Sequence, residues 1–465
     1  MIFNLKNTKL TIILFFFISF YPFSSYAINL KESENLKLDL DGVVKTYFIG
    51  MHLNYPYPVL TSLMNWDSRS GMMGIGEARL KFSGAWKEDK FKWNIMFKTS
   101  PIFSNQPNVM EGMAGGSTAT YEPPRALPFQ YSASESPQSS WYNEVDRFYF
   151  KYRKGKFDFI VGRQPIGFGV GFIWQPADIL ATFSPIEIDK EFKTGVDALR
   201  INIALGTFTE LSLIGVAGGP TCRHVSSPDP DNPTVPSIWE TPWGKNCSPG
   251  DPRFSLDSSS ALTRFRTNFG KWDVGILGGW VRGDLMGGLF TSGNLDRFKI
   301  RGEITYTHDM RDDEVVDNDY EIKEDFVRAV LGFNYPFKTK KPFSLFMEFY
   351  YNGYGTDKTD DYLLQSQTTR TSVYGEVLNL GVFYSGLGLN WQPTYRVNFS
   401  FMTMSNILDR SFHISSNISV NISDNSSFVF GGFLPFGKTM DENGKIGSEF
   451  GIYPKMVYFQ YKRYF

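Results

Sequence analysis

The chain has 465 residues, with 47 Lys and Arg against 48 Asp and Glu, for a formal net charge of −1. That balance lacks the basic footprint of a nucleic-acid-binding protein and gives no cause for an acidic partner. Aromatic residues make up 17% of the chain, and no linker or charge block breaks it from Leu36 to Phe465, so one large sheet is expected in place of several domains of roughly 150 residues.

The first residues read as an export signal. Lys6 and Lys9 flank the start of an apolar run, Leu10 to Phe20, and Ser25-Tyr26-Ala27 supplies the small residues of a cleavage site. The run is shorter than the roughly 20 apolar residues needed to span a bilayer as a helix. Residues 1–27 are therefore expected to be a cleaved signal peptide, and residues 28–465 one exported domain.

Segments with a period of 2 follow. Ala78, Leu80 and Phe82 alternate with Glu77, Arg79 and Lys81. Phe91, Trp93, Ile95 and Phe97 alternate with Lys92, Asn94 and Lys98. Phe148, Phe150 and Tyr152 alternate with Arg147, Lys151 and Arg153, and Leu199, Ile201 and Ile203 with Arg200 and Asn202. Further on, Phe298, Ile300, Ile304 and Tyr306 alternate with Lys299, Arg301 and Glu303, and Met347, Phe349 and Tyr351 with Glu348 and Asn352. A helix would scatter these apolar residues around its surface.

Between two such segments lies GRQPIGFGVGFIWQPADILATFSPIEID, whose Phe172, Ile173, Trp174, Ile179 and Leu180 are too apolar for a loop in water. It either folds inward against the wall or packs against a neighbouring subunit. Cys222 and Cys247 stand alone in a segment dense in Pro, Asp and Ser. In an exported chain they are expected to pair as a disulfide, closing a loop of about 25 residues and contributing roughly 3 kcal/mol in the chain-entropy picture. Free thiols, or a metal pair with His224, are the alternatives; no metal site or cofactor is expected.

The connections separate by length. KEDK, RKGK, LGT and GK are short, whereas residues 54–72, 101–143, 166–195, 219–258, 310–324, 355–376 and 438–453 form long loops. This alternation is the layout of a transmembrane antiparallel β-barrel with short periplasmic turns and long extracellular loops. A barrel leaves no strand edge unpaired in lipid. The expected fold is all-β, with about 18 strands (16–18). Its tenth strand, MGGLFTSGNL, is Gly-rich, but removing it would put the loops out of phase; the fourteenth begins near residue 377.

The chain ends MVYFQYKRYF, with Val457, Phe459, Tyr461 and Phe465 on one face of a last strand. This terminal aromatic strand resembles the C-terminal signal of bacterial outer-membrane proteins that the barrel-assembly machinery reads, so Phe465 is the expected assembly signal. Arg463 departs from that pattern, which prefers an apolar residue at its position. The stretch containing Gly162, Arg163, Gln164, Trp174, Pro176 and Asp178 resembles the G-R-Q strand end of Gram-negative porin-like families, alginate-export barrels among them. That resemblance implies a loop folded into the bore, with Arg163, Gln164, Trp174 and Asp178 at a constriction.

An apolar outer wall leaves the polar alternates facing the bore. Arg79, Lys81, Lys92, Lys98, Arg147, Lys151, Arg153, Arg200, Lys299 and Arg301, with Glu303 and Glu348, are the expected pore lining, and Arg264, Arg266, Arg328 and Arg396 extend the basic set. A basic excess in a narrow lumen concentrates anions. The expected function is a porin for passive diffusion of small hydrophilic solutes with a modest anion preference. Its expected setting is the bacterial outer membrane. Lipid, the barrel-assembly machinery and small solutes are its expected partners, with homotrimeric assembly a further option. The competing reading is a scaffold barrel that sheathes a protein partner, such as an electron carrier or an adhesion complex. Enzymatic chemistry is not expected: His413, Ser415 and Asn417 share one strand face about 7 Å apart per step, too far for a nucleophile–base hydrogen bond.

Overall fold

A computed structural model describes residues 28–33, 35–56, 59, 68–87, 89–106, 123–136, 138–184, 187–219, 223–225, 238–240, 254–310, 325–368, 370–371 and 374–465. Residues 1–27 and both cysteines, Cys222 and Cys247, lie outside them.

Twenty strands form one sheet, and 18 of them close a barrel. In chain order these are β1 (Leu36–His52), β2 (Ser70–Trp86), β3 (Phe91–Ser104), β4 (Ser139–Lys154), β5 (Phe157–Gln164), β6 (Val196–Ala204), β7 (Glu210–Gly218), β8 (Ser255–Phe269) and β9 (Trp272–Val281). They continue with β10 (Asp284–Leu295), β11 (Phe298–His308), β12 (Asp325–Phe337), β13 (Phe343–Asn352), β14 (Phe383–Thr394), β15 (Val397–Asn406), β16 (Ser411–Ser423), β17 (Ser426–Phe436) and β18 (Lys455–Tyr464). Each pairs antiparallel with its neighbour in sequence, and β18 returns to β1 in the register Val43↔Tyr464 to His52↔Lys455. Of the two remaining strands of the sheet, Ile28–Ser33 pairs with the start of β1 and Gln130–Ser136 with β4.

The alternating residues take opposite faces, as a period of 2 requires. Leu80, Phe97, Phe150, Leu199, Ile304 and Phe349 are exposed on the outside, as befits a wall in lipid. At the short-turn end, outward aromatics run across neighbouring strands: Trp86 to Phe91 at 5.3 Å, Phe91 to Tyr152 at 4.8 Å and Tyr152 to Phe159 at 6.4 Å. Such a girdle marks a membrane–water interface.

The β1–β18 ladder continues into Phe465. Phe465 donates its N–H to Gly42 O at 3.0 Å, and Gly42 donates back to Phe465 O at 2.9 Å. The Phe465 ring lies over Gly42, where a Cβ would stand 2.5 Å from Cζ.

Two connections differ from the expected loop pattern. β9–β10 and β15–β16 meet at the long-loop end through residues 282–283 and 407–410 alone. Strand phase, not loop length, therefore keeps the two ends distinct. β14 begins at Phe383, not near 377, because the preceding residues turn into the barrel and bury Val377 and Leu380.

Candidate functional site

The described residues of the segment after β5, 165–184 and 187–195, lie inside the barrel. Gly162 sets its departure: with φ 113°, and with Phe148 O where a Cβ would stand, only Gly serves there. Arg163 and Gln164 lie in β5 itself and are fully buried. Arg163 donates Nε to Asp197 Oδ1 at 2.8 Å and Nη2 to Leu127 O at 2.6 Å, and Gln164 donates Nε2 to Ala198 O at 3.0 Å. Both fasten the start of the segment to β6.

Beyond them the apolar residues find an inner wall that is itself apolar. Ile166, Phe168, Ile179 and Leu180 pack with Ile214, Leu262 and Met286 of β7, β8 and β10. Trp174 is buried against Tyr350 (5.5 Å, 15°) and Tyr384 (5.9 Å), and its Nε1 donates to Asn379 Oδ1 at 3.0 Å. Asp178, also buried, ion-pairs with Lys193, while burial pushes its carboxyl up.

Two wall carboxylates hold this segment by its backbone. Glu303 accepts N–H groups from Val170, from Gly171 (2.8 Å) and from Ala177 (3.1 Å). Glu348 accepts those of Phe172, Ile173 (2.7 Å) and Trp174 (3.3 Å). Successive N–H groups turned toward one anion form a nest. Sequence reasoning placed both acids among the open bore charges; in the structure each is buried under the segment.

The segment then reaches the seam between the first and last strands. Asp189 Oδ2 accepts from Lys45 (2.9 Å) and Tyr47 (3.0 Å) of β1 and from Gln460 (2.8 Å) and Lys462 (2.9 Å) of β18. Glu191 adds Lys45 at 2.9 Å and Tyr464 at 2.8 Å. Burial opposes the Asp189 charge, but the Lys45 and Lys462 ammoniums hold its carboxyl well below the usual range. The described residues between β13 and β14 also turn inward: Arg370 pairs with Asp284 (2.7 Å) and Asp309 (2.9 Å), and Glu376 with Arg328 (3.0 Å).

Most of the expected basic lining is paired. Arg79 meets Glu77 (2.9 Å) and Asp146 (2.8 Å), and Lys81 meets Asp41 (2.9 Å). Lys92 pairs with Asp89 (2.8 Å), and Lys98 with Glu144 (3.0 Å). Lys151 and Arg153 share Asp158 at 2.8 and 2.7 Å, and Arg147 stands 3.8 Å from Asp146. Among the described residues, Arg200, Arg264, Lys299 and Arg301 have no carboxylate within ion-pair distance. Arg301 lies 3.6 Å over the Phe172 ring and donates to Val170 O at 2.8 Å, and Arg264 lies 4.7 Å over Phe290. A cavity of about 340 Å³, bounded by Val170, Thr209, Arg264, Arg266 and Phe290 and by the carboxylates Glu210 and Asp273, opens beside the segment toward the 205–209 turn.

Solved structures share this architecture. A BenF-like porin from Pseudomonas fluorescens Pf-5 aligns over 92% of this chain and 98% of its own, with TM-score 0.51 and 8% identity. Acinetobacter baumannii OccAB1 aligns over 95% of this chain and 98% of its own, with TM-score 0.51 and 7% identity. The fold is a porin-type barrel. No protein-family model matches the chain, and no curated protein does. Identities this low carry the porin-type architecture and nothing about solutes.

Sequence reasoning missed Lys45, Asp146, Asp189, Glu191 and Arg370. Their partners lie on other strands or far along the chain, 144 positions away for Lys45 and Asp189. The one local signal was Asp189-Lys190-Glu191, a run of three charges near the end of a largely apolar loop.

Proposed function

We propose that this chain is a porin of the bacterial outer membrane, conducting small hydrophilic solutes by passive diffusion with a modest preference for anions. The observation that carries the reading is an asymmetry of charge inside a closed barrel. Glu303 and Glu348 face backbone N–H groups, while Arg200, Arg264 and Lys299, which line the lumen in this reading, have no carboxylate within ion-pair distance among the described residues. Low-dielectric walls focus what remains, so small anions are enriched. In this reading residues 165–195 and their Trp174–Asp178 stretch narrow the bore, the signal peptide directs export, Phe465 serves barrel assembly, and a Cys222–Cys247 disulfide tethers an outer loop.

The test is single-channel recording of the refolded chain with reversal potentials in a salt gradient. The unmodified channel should favour anions. Arg200→Glu combined with Arg264→Glu should move the reversal potential toward cations, more at 0.1 M salt, where the Debye length is about 10 Å, than at 1 M, where it is about 3 Å. Lys151→Gln, at a residue that shares Asp158 with Arg153, should move it less. Cation preference in the unmodified channel overturns the anion reading. A barrel that sheathes a protein partner would carry no single-channel current.

A further inference from the structure

The lipid-facing wall is not smooth at the seam between the first and last strands. Outward residues alternate along β1, β2 and β18, and two of the outward positions are Gly50 and Gly74. A Cβ at Gly74 would meet nothing within 4 Å, and one at Gly50 would stop 3.5 Å from a Val457 methyl. Exposed side chains rise on either side: Phe430 and Val457 on one, Met72 and Trp141 on the other. The result is an apolar groove of about 590 Å³, continuous through Gly50, Met72, Asn105 and Val457 with a second depression of about 540 Å³.

The second depression is chemically different. It lies at the long-loop ends of the strands and is lined by His52, Ser70, Asn105 and Lys455. His52 and Lys455 face each other across the seam in register, and His52 Nδ1 is 2.9 Å from Ser70 Oγ. Among the described residues Lys455 makes no ion pair. The groove is thus greasy where it runs down the wall and basic and hydrogen-bonding at the level of the membrane surface.

We propose that this groove is a binding site for one anionic membrane lipid, with an acyl chain in the glycine-floored channel and the headgroup at Lys455 and His52. The order of the two ends matches a lipid standing in the bilayer. The absence of side chains at Gly50 and Gly74 provides the space that a chain needs. Lys455, which makes no ion pair among the described residues, selects the charge of the headgroup. The site depends on the barrel standing in lipid and is independent of whether the lumen conducts.

The experiment is native mass spectrometry of the full chain in mild detergent, titrated with phosphatidylglycerol and, separately, phosphatidylcholine. The unmodified protein should retain one phosphatidylglycerol, bound about fivefold more tightly than phosphatidylcholine, the factor expected for one basic residue near an anionic surface. Gly74→Phe should fill the channel and lose both lipids, with heat-modifiable mobility on gels certifying a folded barrel. Lys455→Glu should keep phosphatidylcholine and lose the preference for phosphatidylglycerol. Equal occupancy in folded Gly74→Phe, or an unchanged preference in Lys455→Glu, overturns the site. So does a multimer that Gly74→Phe dissociates without change in bound lipid, which would make this face an interface between copies.

Discussion

Glu348 and Glu303 each hold consecutive peptide N–H groups of a loop far away in sequence, so a single side chain controls several backbone donors. Removing the acceptor leaves them buried without partners, at roughly 1–3 kcal/mol for each donor that water does not reach. Glu348→Ala should therefore free Phe172 to Trp174 from the wall while the barrel stays closed. In single-channel recordings it should give a larger or noisier conductance; an unchanged trace would mean that Trp174, wedged against Tyr350, holds the loop alone. A different residue carries a pH response. Glu449, between β17 and β18, is fully buried, and burial pushes its carboxyl up to about 7 against hydrogen bonds from Tyr384, Asn379 and Asn406. An unfolded Glu titrates near 4.3. The folded state thus prefers the protonated form, whose contribution is complete below about 4.3, declines above it and is lost as pH rises through the folded value. Hydrogen exchange at the Leu380 and Phe450 amides should accelerate from pH 5 to pH 8 beyond the intrinsic pH dependence, and Glu449→Gln should abolish that excess.

Strands and loops were not equally legible. Period-2 alternation reads directly from residues such as Phe148 to Arg153 because the outer face must be apolar and the inner face must differ from it. Glu303 and Glu348 were legible as inward acids but not as loop anchors, since nothing local tells an acid facing water from one facing peptide N–H groups. The apolar inner patch of Ile214, Leu262 and Met286 was hidden for the same reason: a strand apolar on both faces loses its alternation. The loop that covers this patch continues to Asp189, which draws β1 and β18 together through Lys45, Gln460 and Lys462. Asp189→Asn removes the carboxylate that Lys45 and Lys462 share, but Glu191 still pairs with both, so the cost stays below the roughly 3–5 kcal/mol of a buried charge left without a partner. Its expected effect is a lower temperature for the shift from folded to unfolded mobility on gels, with β-sheet circular dichroism unchanged at 25 °C. An unaltered transition would assign closure to the strand ladder alone.

At the scale of the whole molecule, a barrel is only as closed as its last pairing. The ladder between β1 and β18 ends where Phe465 and Gly42 exchange two backbone hydrogen bonds beneath the Phe465 ring. Deleting Phe465 removes those bonds together with the aromatic cover of a residue that has no side chain of its own. Outer-membrane yield should then fall while export of the precursor continues. That outcome alone would not separate recognition by the assembly machinery from stability of the closed seam. Gly42→Val separates them. A Cβ there would stand 2.5 Å from the Phe465 ring and 2.6 Å from Arg79 O, so the ring and the neighbouring strand must both give way, yet the C-terminal sequence is intact. If the seam is what matters, both variants lose heat-modifiable folded protein to a similar extent, in cells and on refolding from urea into detergent. If recognition is what matters, the Phe465 deletion refolds in detergent as well as the parent protein and fails only in cells. Normal yield of the deletion in both settings would show that the hydrogen bonds from Val43 to His52 close the barrel without the terminal aromatic.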